Sequence, residues 1–353
     1  MSVLELIRPD LQSMQSYKPG GDTLDCRLHA NELPWCPVSF AQVPLNHYPD
    51  IRQQQQLQQL LANYYQININ QLVLTRGSDD GIDMLMRLFL RAGQDSFMQC
   101  PPTFPMYEFY GRLQQADALN CPLEANNDFS FSIEKLISLW QPNCRLIMLC
   151  RPNNPTGNLL ELTSIETLCN YFKNKAVVVV DEAYIEFAQT TSATSLIPSF
   201  DNLIVLRTLS KAYGLAGLRL GSIIAQPQLI KAIENTMPPY TLSSAVLDLA
   251  QRALIDKSWF TNKIKDILNE RQRLITQLQQ LTLIDKIYPS RANFILIASS
   301  YAAQLAAWMA ELDIAVRHFA AGPLQNMLRV TVGEQAQNQR LLNALRRFQQ
   351  EKC

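Results

Sequence analysis

Residues 53–59 read QQQQLQQ, which on its own is a polar low-complexity tract. Leu57, Leu60, Leu61 and Tyr64 nevertheless recur at intervals that share one helix face, so the segment predicts an amphipathic helix with a glutamine-rich wet side. The stretch that follows, LVLTRGSDDGIDMLMRLFL, predicts a short apolar strand, a turn at Gly77-Ser78 and a helix with acidic residues in its first turn. Short apolar runs then alternate with helical patterns, at 97–100, 146–150, 177–180, 203–206 and 222–225. Runs such as VVVV and LIMLC have no polar side, which suits strands covered on both faces. The alternation predicts an α/β core around a largely parallel sheet.

From about residue 255 the pattern changes. A long helix over 258–281 leads to the strand-like NFILIA, a helix over 301–312, the strands AVRHF and MLRVTVG, and a closing helix. This predicts a smaller α+β domain. The proline-punctuated start, with NELPWCPVSF, has no such period and is expected to pack on the small domain or on a partner subunit. The expected division is therefore an N-terminal segment 1–41, a large domain 42–254 and a small domain 255–353.

Composition adds mainly exclusions. The chain has 353 residues, 47% of them hydrophobic, enough for a sizeable core. Its 31 Lys+Arg balance 31 Asp+Glu, which gives no reason to expect nucleic acid or an anionic membrane surface as a partner. No signal-peptide pattern opens the sequence and no apolar stretch reaches membrane-span length, so the expected location is the cytoplasm. The eight cysteines include no C-x-x-C and read as buried, reduced thiols; three histidines give no basis for a histidine metal site, and none is expected.

The candidate chemistry centres on RTLSKAYGLAGLRLG, 207–221. Lys211 stands among small and apolar residues. Desolvation lowers an ammonium pKa and leaves a nucleophilic amine, able to condense with an aldehyde as a Schiff base. Ser210 and Arg219 could hold an anionic group beside it, and a hydroxyl with a guanidinium fork suits phosphate. Phosphate next to such a lysine suggests pyridoxal 5′-phosphate. That cofactor needs a carboxylate at its ring nitrogen. Asp181 ends the buried run AVVVVDEAYIEF, at the strand end where open α/β sheets bind ligands; a helix N-cap is the plain alternative. Its phenolic oxygen needs a donor, which Tyr184 or Asn154 of RPNNPTG could supply, although NNPTG by itself could be only a turn. TRGSDDG, at a strand-to-helix turn, offers backbone N–H groups to an anion but lacks the P-loop pattern.

These segments, together with HANELP, NHYPD, CPPTFPMY, RANFIL and LRVTVG, carry a resemblance that runs over nearly the whole chain. The chain resembles the fold-type I pyridoxal-phosphate-dependent aminotransferases and, through DEAYIEF and SKAYGLAGLRLG, the histidinol-phosphate aminotransferase family among them. The resemblance implies a large domain with a mostly parallel, seven-stranded type of sheet between helices, a smaller α+β domain, and a homodimer with shared active sites. It implies that Lys211 binds the cofactor and shuttles a proton, that Asp181 pairs with the ring nitrogen, and that Tyr184 and Asn154 bond the phenolic oxygen. Ser78, Asp79, Ser210 and Arg219 then line the phosphate seat, Tyr48 reaches it from the other subunit, and Phe104 stacks on the ring. Arg329 resembles the arginine that grips the substrate anion, with Arg317 and Tyr17 as further phosphate-end contacts. Packing at Tyr48 and a solvated strand-end cation at Arg317 are the plain alternatives. Phe104 stands where a tyrosine is usual, His29 where an asparagine is usual, and Arg151 where a small residue is usual; Arg151 is expected on the surface.

The activity implied is amino transfer from L-histidinol phosphate to 2-oxoglutarate, giving imidazole acetol phosphate and L-glutamate. An aromatic amino acid aminotransferase or phospho-amino-acid lyase on the same scaffold is one rival. A non-catalytic binding module of the same fold is another.

Overall fold

The structure is a computed structural model and describes residues 26–29, 31, 32, 35, 49 and 51–352. Among these, twelve strands form two sheets. The first strand, β1 (Cys26–Leu28), belongs to the smaller sheet. The larger sheet is built from β2 (Leu72–Thr75), β3 (Ser96–Gln99), β4 (Asp117–Asn120), β5 (Cys144–Cys150), β6 (Val177–Asp181), β7 (Leu203–Thr208) and β8 (Gly221–Ile224). Its order is β2-β8-β7-β6-β5-β3-β4. All neighbours pair parallel except β8, which runs antiparallel between β2 and β7.

The strands lack a polar side because both faces carry a core. Ile147, Leu149, Val178 and Val180 face one apolar cluster, while Leu146, Met148 and Val179 face the other. Helix α1 (Ile51–Tyr65) packs on the first through Leu57 and Leu61. Helix α2 (Ser78–Phe89) packs on the second through Ile82 and Leu85. The glutamine-rich side of α1 is wet at Gln55, Gln56 and Gln59, as its period predicts. Gln58 is the exception: it is buried and donates to the Leu72 carbonyl at 3.4 Å, which anchors α1 to β2.

The second sheet has the order β1-β11-β12-β10-β9, with β9 (Lys286–Ile287), β10 (Phe294–Ala298), β11 (Ile314–His318) and β12 (Met327–Thr331). Strand β1 lies parallel to β11, so the described part of the N-terminal segment completes this sheet. The loops beside the two sheets are tied: the Arg291 N–H, before β10, donates to the Gly157 carbonyl, after β5, at 2.8 Å. Because β2, β3, β5, β6 and β7 run the same way, Thr75, Gln99, Cys150, Asp181 and Thr208 all end at one edge of the large sheet. Gly221 starts β8 there. The ligand-bearing loops of parallel sheets open at that edge. No described helix is long and apolar enough to cross a membrane.

Candidate active site

One pocket of about 450 Å³ opens at that edge, lined among others by Ser78, Asp79, Phe104, Asn154, Asp181, Tyr184, Ser210, Lys211 and Arg219. Nine residues expected from different parts of the sequence thus meet in one place.

At its inner end sits Asp181, the last residue of β6 and 2% exposed. Its Oδ1 accepts the Ala183 N–H at 3.1 Å and its Oδ2 accepts the Tyr107 hydroxyl at 2.8 Å. Burial pushes its pKa up to about 6, against the lowering effect of those two donors. It does not cap a regular helix; the N–H it satisfies lies in the turn behind the strand.

Lys211 follows β7 and the Leu209-Ser210 bend. It is half-buried, with Nζ 5.9 Å from the centre of the Tyr184 ring. Burial and, after it, the positive charge of Arg329 lower its pKa to about 8, while Asp79 and Glu32 oppose the shift. The amine is therefore partly neutral near physiological pH.

The mouth of the pocket is an anion seat. Helix α2 begins at Ser78, where the first N–H groups of a helix have no partner within it. Arg219 leans over this end, donating to Asp79 Oδ2 at 3.1 Å and to Ser210 Oγ at 3.4 Å. Two glycines allow the approach. Gly77 has φ +84°, and a Cβ there would lie 2.7 Å from Arg219 Nη2. A Cβ on Gly221 would lie 2.5 Å from the Gly77 carbonyl carbon and 2.6 Å from the Ser78 nitrogen. Because the Asp79 carboxylate is engaged by Arg219, what Asp79 offers an anion is its backbone N–H.

Between these ends the walls carry donors. Asn154 Oδ1 accepts from Arg329 Nη1 at 2.5 Å. Arginine has no acceptor, so this bond fixes the amide orientation and leaves Nδ2 as the donor group. Tyr184 accepts from Asn31 Nδ2 at 3.1 Å, and its phenol pKa is pushed up by burial, so it keeps its proton. The Tyr184 ring meets Phe294 edge-on at 5.2 Å. Arg329, on β12 and 8% exposed, also donates to the His29 carbonyl at 2.6 Å and lies over the Phe294 ring. His29, where asparagine was expected, thus serves this contact with its backbone. Arg317 stands directly opposite Arg329 on β11, so both side chains leave the same face of the small sheet. Tyr17 and Tyr48 lie outside the described residues.

The surface placement expected for Arg151 is wrong. Arg151 is fully buried, ion-paired to Glu182 at 2.7 Å, and its Nε donates to the Leu160 carbonyl at 2.6 Å. Glu182 also accepts from Ser192 and from the Ala193 N–H. Arg207 extends the network to Glu186 at 2.6 Å. The reason is the alternation of side chains along β6: Asp181 faces the pocket, so Glu182 turns to the opposite side and needs a buried cation there. Tyr107, Cys150, Thr208 and Asn31 are further residues at or against the pocket that the sequence reading missed. Tyr107 and Asn31 stood inside the motifs CPPTFPMY and HANELP, but nothing in their spacing shows what they bond to.

A carboxylate at one end, an anion seat at the other, a depressed lysine beside both and two fixed donors between them fit the groups of pyridoxal 5′-phosphate. The class of protein follows from fold and site together: the class I and II aminotransferase family model matches residues 13–345. Histidinol-phosphate aminotransferase 1 of Legionella pneumophila (strain Lens) is 52% identical over 349 residues, covering 99% of this chain and 96% of that protein. The histidinol-phosphate aminotransferase of Francisella philomiragia is 35% identical, covering 98% and 96%. Among solved structures, histidinol-phosphate aminotransferase from Sinorhizobium meliloti in complex with pyridoxal-5′-phosphate shares the fold, with a TM-score of 0.86 at 23% identity and 98% of both chains covered. This chain belongs to the histidinol-phosphate aminotransferase family.

Proposed function

We propose that the chain transfers the amino group of L-histidinol phosphate to 2-oxoglutarate, releasing imidazole acetol phosphate and L-glutamate, as a step of L-histidine biosynthesis. The observation that carries this reading is the meeting of Lys211, Asp181 and the Ser210–Arg219 seat in one pocket of a chain that matches its named relatives from end to end. When bound, pyridoxal phosphate supplies an aldehyde that exchanges amines and a ring that draws electrons from the carbon beside the transferred nitrogen.

The chain's own residues do the rest. Arg219, Ser210, Ser78 and the start of α2 would hold the cofactor phosphate. Asp181, ionised, would hold a proton at the ring nitrogen. Asn154 and Tyr184 would donate to the phenolic oxygen, and Phe104 would cover the ring. Lys211 Nζ, when neutral, would be the amine that holds the cofactor aldehyde and, once displaced by the substrate amine, the general base that accepts and returns the substrate proton. Arg329 and Arg317 bind the anionic end of each substrate in turn. Because one seat serves both substrates, ping-pong kinetics follow.

The chain is further assigned to a cytoplasmic homodimer in which Tyr48 of each subunit completes the partner's phosphate seat and Tyr17 contacts the substrate. The division at 41/42 and 254/255 into segment, large domain and small domain belongs to the same reading. The deciding experiment compares kcat/KM for histidinol phosphate, histidine, tyrosine and phenylalanine as amino donors, with Lys211→Ala as control. Histidinol phosphate should be preferred. Lys211→Ala should lose at least about a thousandfold in turnover, within the range for removing a general base, while keeping some bound cofactor. Turnover of Lys211→Ala within about tenfold of wild type would end the proposal.

A further inference from the structure

The bottom of the pocket holds a contact that the reading above does not use. Tyr107, in the first turn of α3 (Met106–Leu113), is fully buried, and its hydroxyl lies 2.8 Å from Asp181 Oδ2. Its ring is fixed edge-on to Phe104 at 5.7 Å, inside the second apolar core. We infer that Tyr107 is a positioning residue for Asp181, whose hydroxyl keeps that carboxylate ionised and aimed at the ring nitrogen of the cofactor.

The surroundings of Asp181 leave few other means. On β7 its neighbour in register is Leu206, which offers nothing. On β5 it is Cys150, whose thiol donates instead to the Pro152 carbonyl at 3.3 Å. Asp79 at the start of α2 and Glu182 next in the chain are both acidic and oppose ionisation. Tyr184, Lys211 and Arg219 line the same pocket, and no hydrogen bond from any of them to Asp181 is found among the described residues. That leaves the Ala183 N–H on one oxygen and Tyr107 on the other. A hydrogen bond to the charged form lowers a carboxyl pKa, and burial raises it. The Tyr107 phenol is itself pushed up by burial and by Asp181, so it stays protonated and remains a donor. A phenylalanine would fill the same core space, so the hydroxyl is what the position adds.

This inference rests on the cofactor reading, and the experiment separates the two. The affinity of cofactor-free protein for pyridoxal phosphate is measured by equilibrium dialysis between pH 5 and 9, in wild type, Tyr107→Phe and Tyr107→His. An analogue with CH in place of the ring nitrogen is measured alongside. Wild-type affinity falls on the acid side as Asp181 takes up a proton. In Tyr107→Phe the half-point moves up by about one pH unit, so that binding is about fivefold weaker near pH 6, close to tenfold weaker near pH 5, and changed less than about twofold near pH 8. The analogue binds both proteins alike, and Tyr107→His, which restores a donor, recovers the wild-type limb. Equal loss at every pH, equal loss for the analogue, or an unmoved limb overturns the inference. Failure of the wild type to bind pyridoxal phosphate sinks the cofactor reading instead. Should Tyr107→Phe not fold, the infrared band of protonated Asp181 in wild type, identified by its absence in Asp181→Asn, decides. Its appearance at about pH 6 or below supports the role of Tyr107, and its presence well above that overturns it.

Discussion

Lys211 shows how one side chain is tuned by its surroundings. Its amine is moved from 10.5 to about 8, first by burial and then by Arg329. A protonated amine has no lone pair for an aldehyde, so capture of pyridoxal phosphate by the cofactor-free protein should speed up as pH rises through about 8 and level off above it. Arg329→Leu removes a positive neighbour, which makes the ammonium easier to keep. The midpoint of that rise should therefore move to higher pH. Stopped-flow capture rates across the range check both points, and a midpoint that stays put would mean that Arg329 does not act on the amine.

At the scale of elements, two features hold the strand ends in place. One is the close contact of the β2–α2 turn with the start of β8. A methyl group on Gly221 would strike backbone at 2.5 and 2.6 Å, and backbone cannot swing aside as a side chain can. Gly221→Ala should push Ser78 away from Arg219 and weaken cofactor binding at least about tenfold, the loss of roughly one charge-assisted hydrogen bond. Equilibrium dialysis with pyridoxal phosphate reads this directly. The other feature is the buried Arg151–Glu182–Arg207–Glu186 network behind β5, β6 and β7. Arg151→Leu leaves Glu182 with only a distant cation, Arg207 at 3.7 Å. Breaking such a pair from one side costs about 3–5 kcal/mol. Urea unfolding of the cofactor-free protein should show that loss, and a change below about 1 kcal/mol would show that Glu182 does not depend on Arg151.

On the scale of the whole molecule, the surroundings of Arg329 depend on both sheets. Arg329 comes from the small sheet and bonds Asn154 of the large one, while Asn31 links Tyr184 to Thr331. Arg317 stands beside Arg329 in register, so the two forks can share a doubly charged phosphate. Arg317→Gln should lower kcat/KM for histidinol phosphate at least about tenfold, equivalent to about 1.4 kcal/mol, and affect phenylalanine or tyrosine far less. Equal losses on both kinds of donor would show that Arg317 supports the sheet and does not select the substrate.

The sequence by itself determined the strand and helix order, because apolar runs without a polar side and runs with helical period are local properties of the chain. Helix α1 and the core strands of the large sheet were legible for that reason. So was the placement of Lys211 and Asp181 at strand ends, because Ser210 and Lys211, and Asp181 and Tyr184, are close in sequence and line the same pocket. Tertiary structure alone decided what lies across the gaps. The antiparallel course of β8 depends on which strands flank it. The bond from Tyr107 to Asp181 joins residues 74 positions apart. The burial of Arg151 required knowing that Glu182 faces the same interior, a fact of strand pairing and side-chain alternation between separate strands. Local patterns fix which side of an element is apolar, but charges find their partners only when the fold has brought distant elements together.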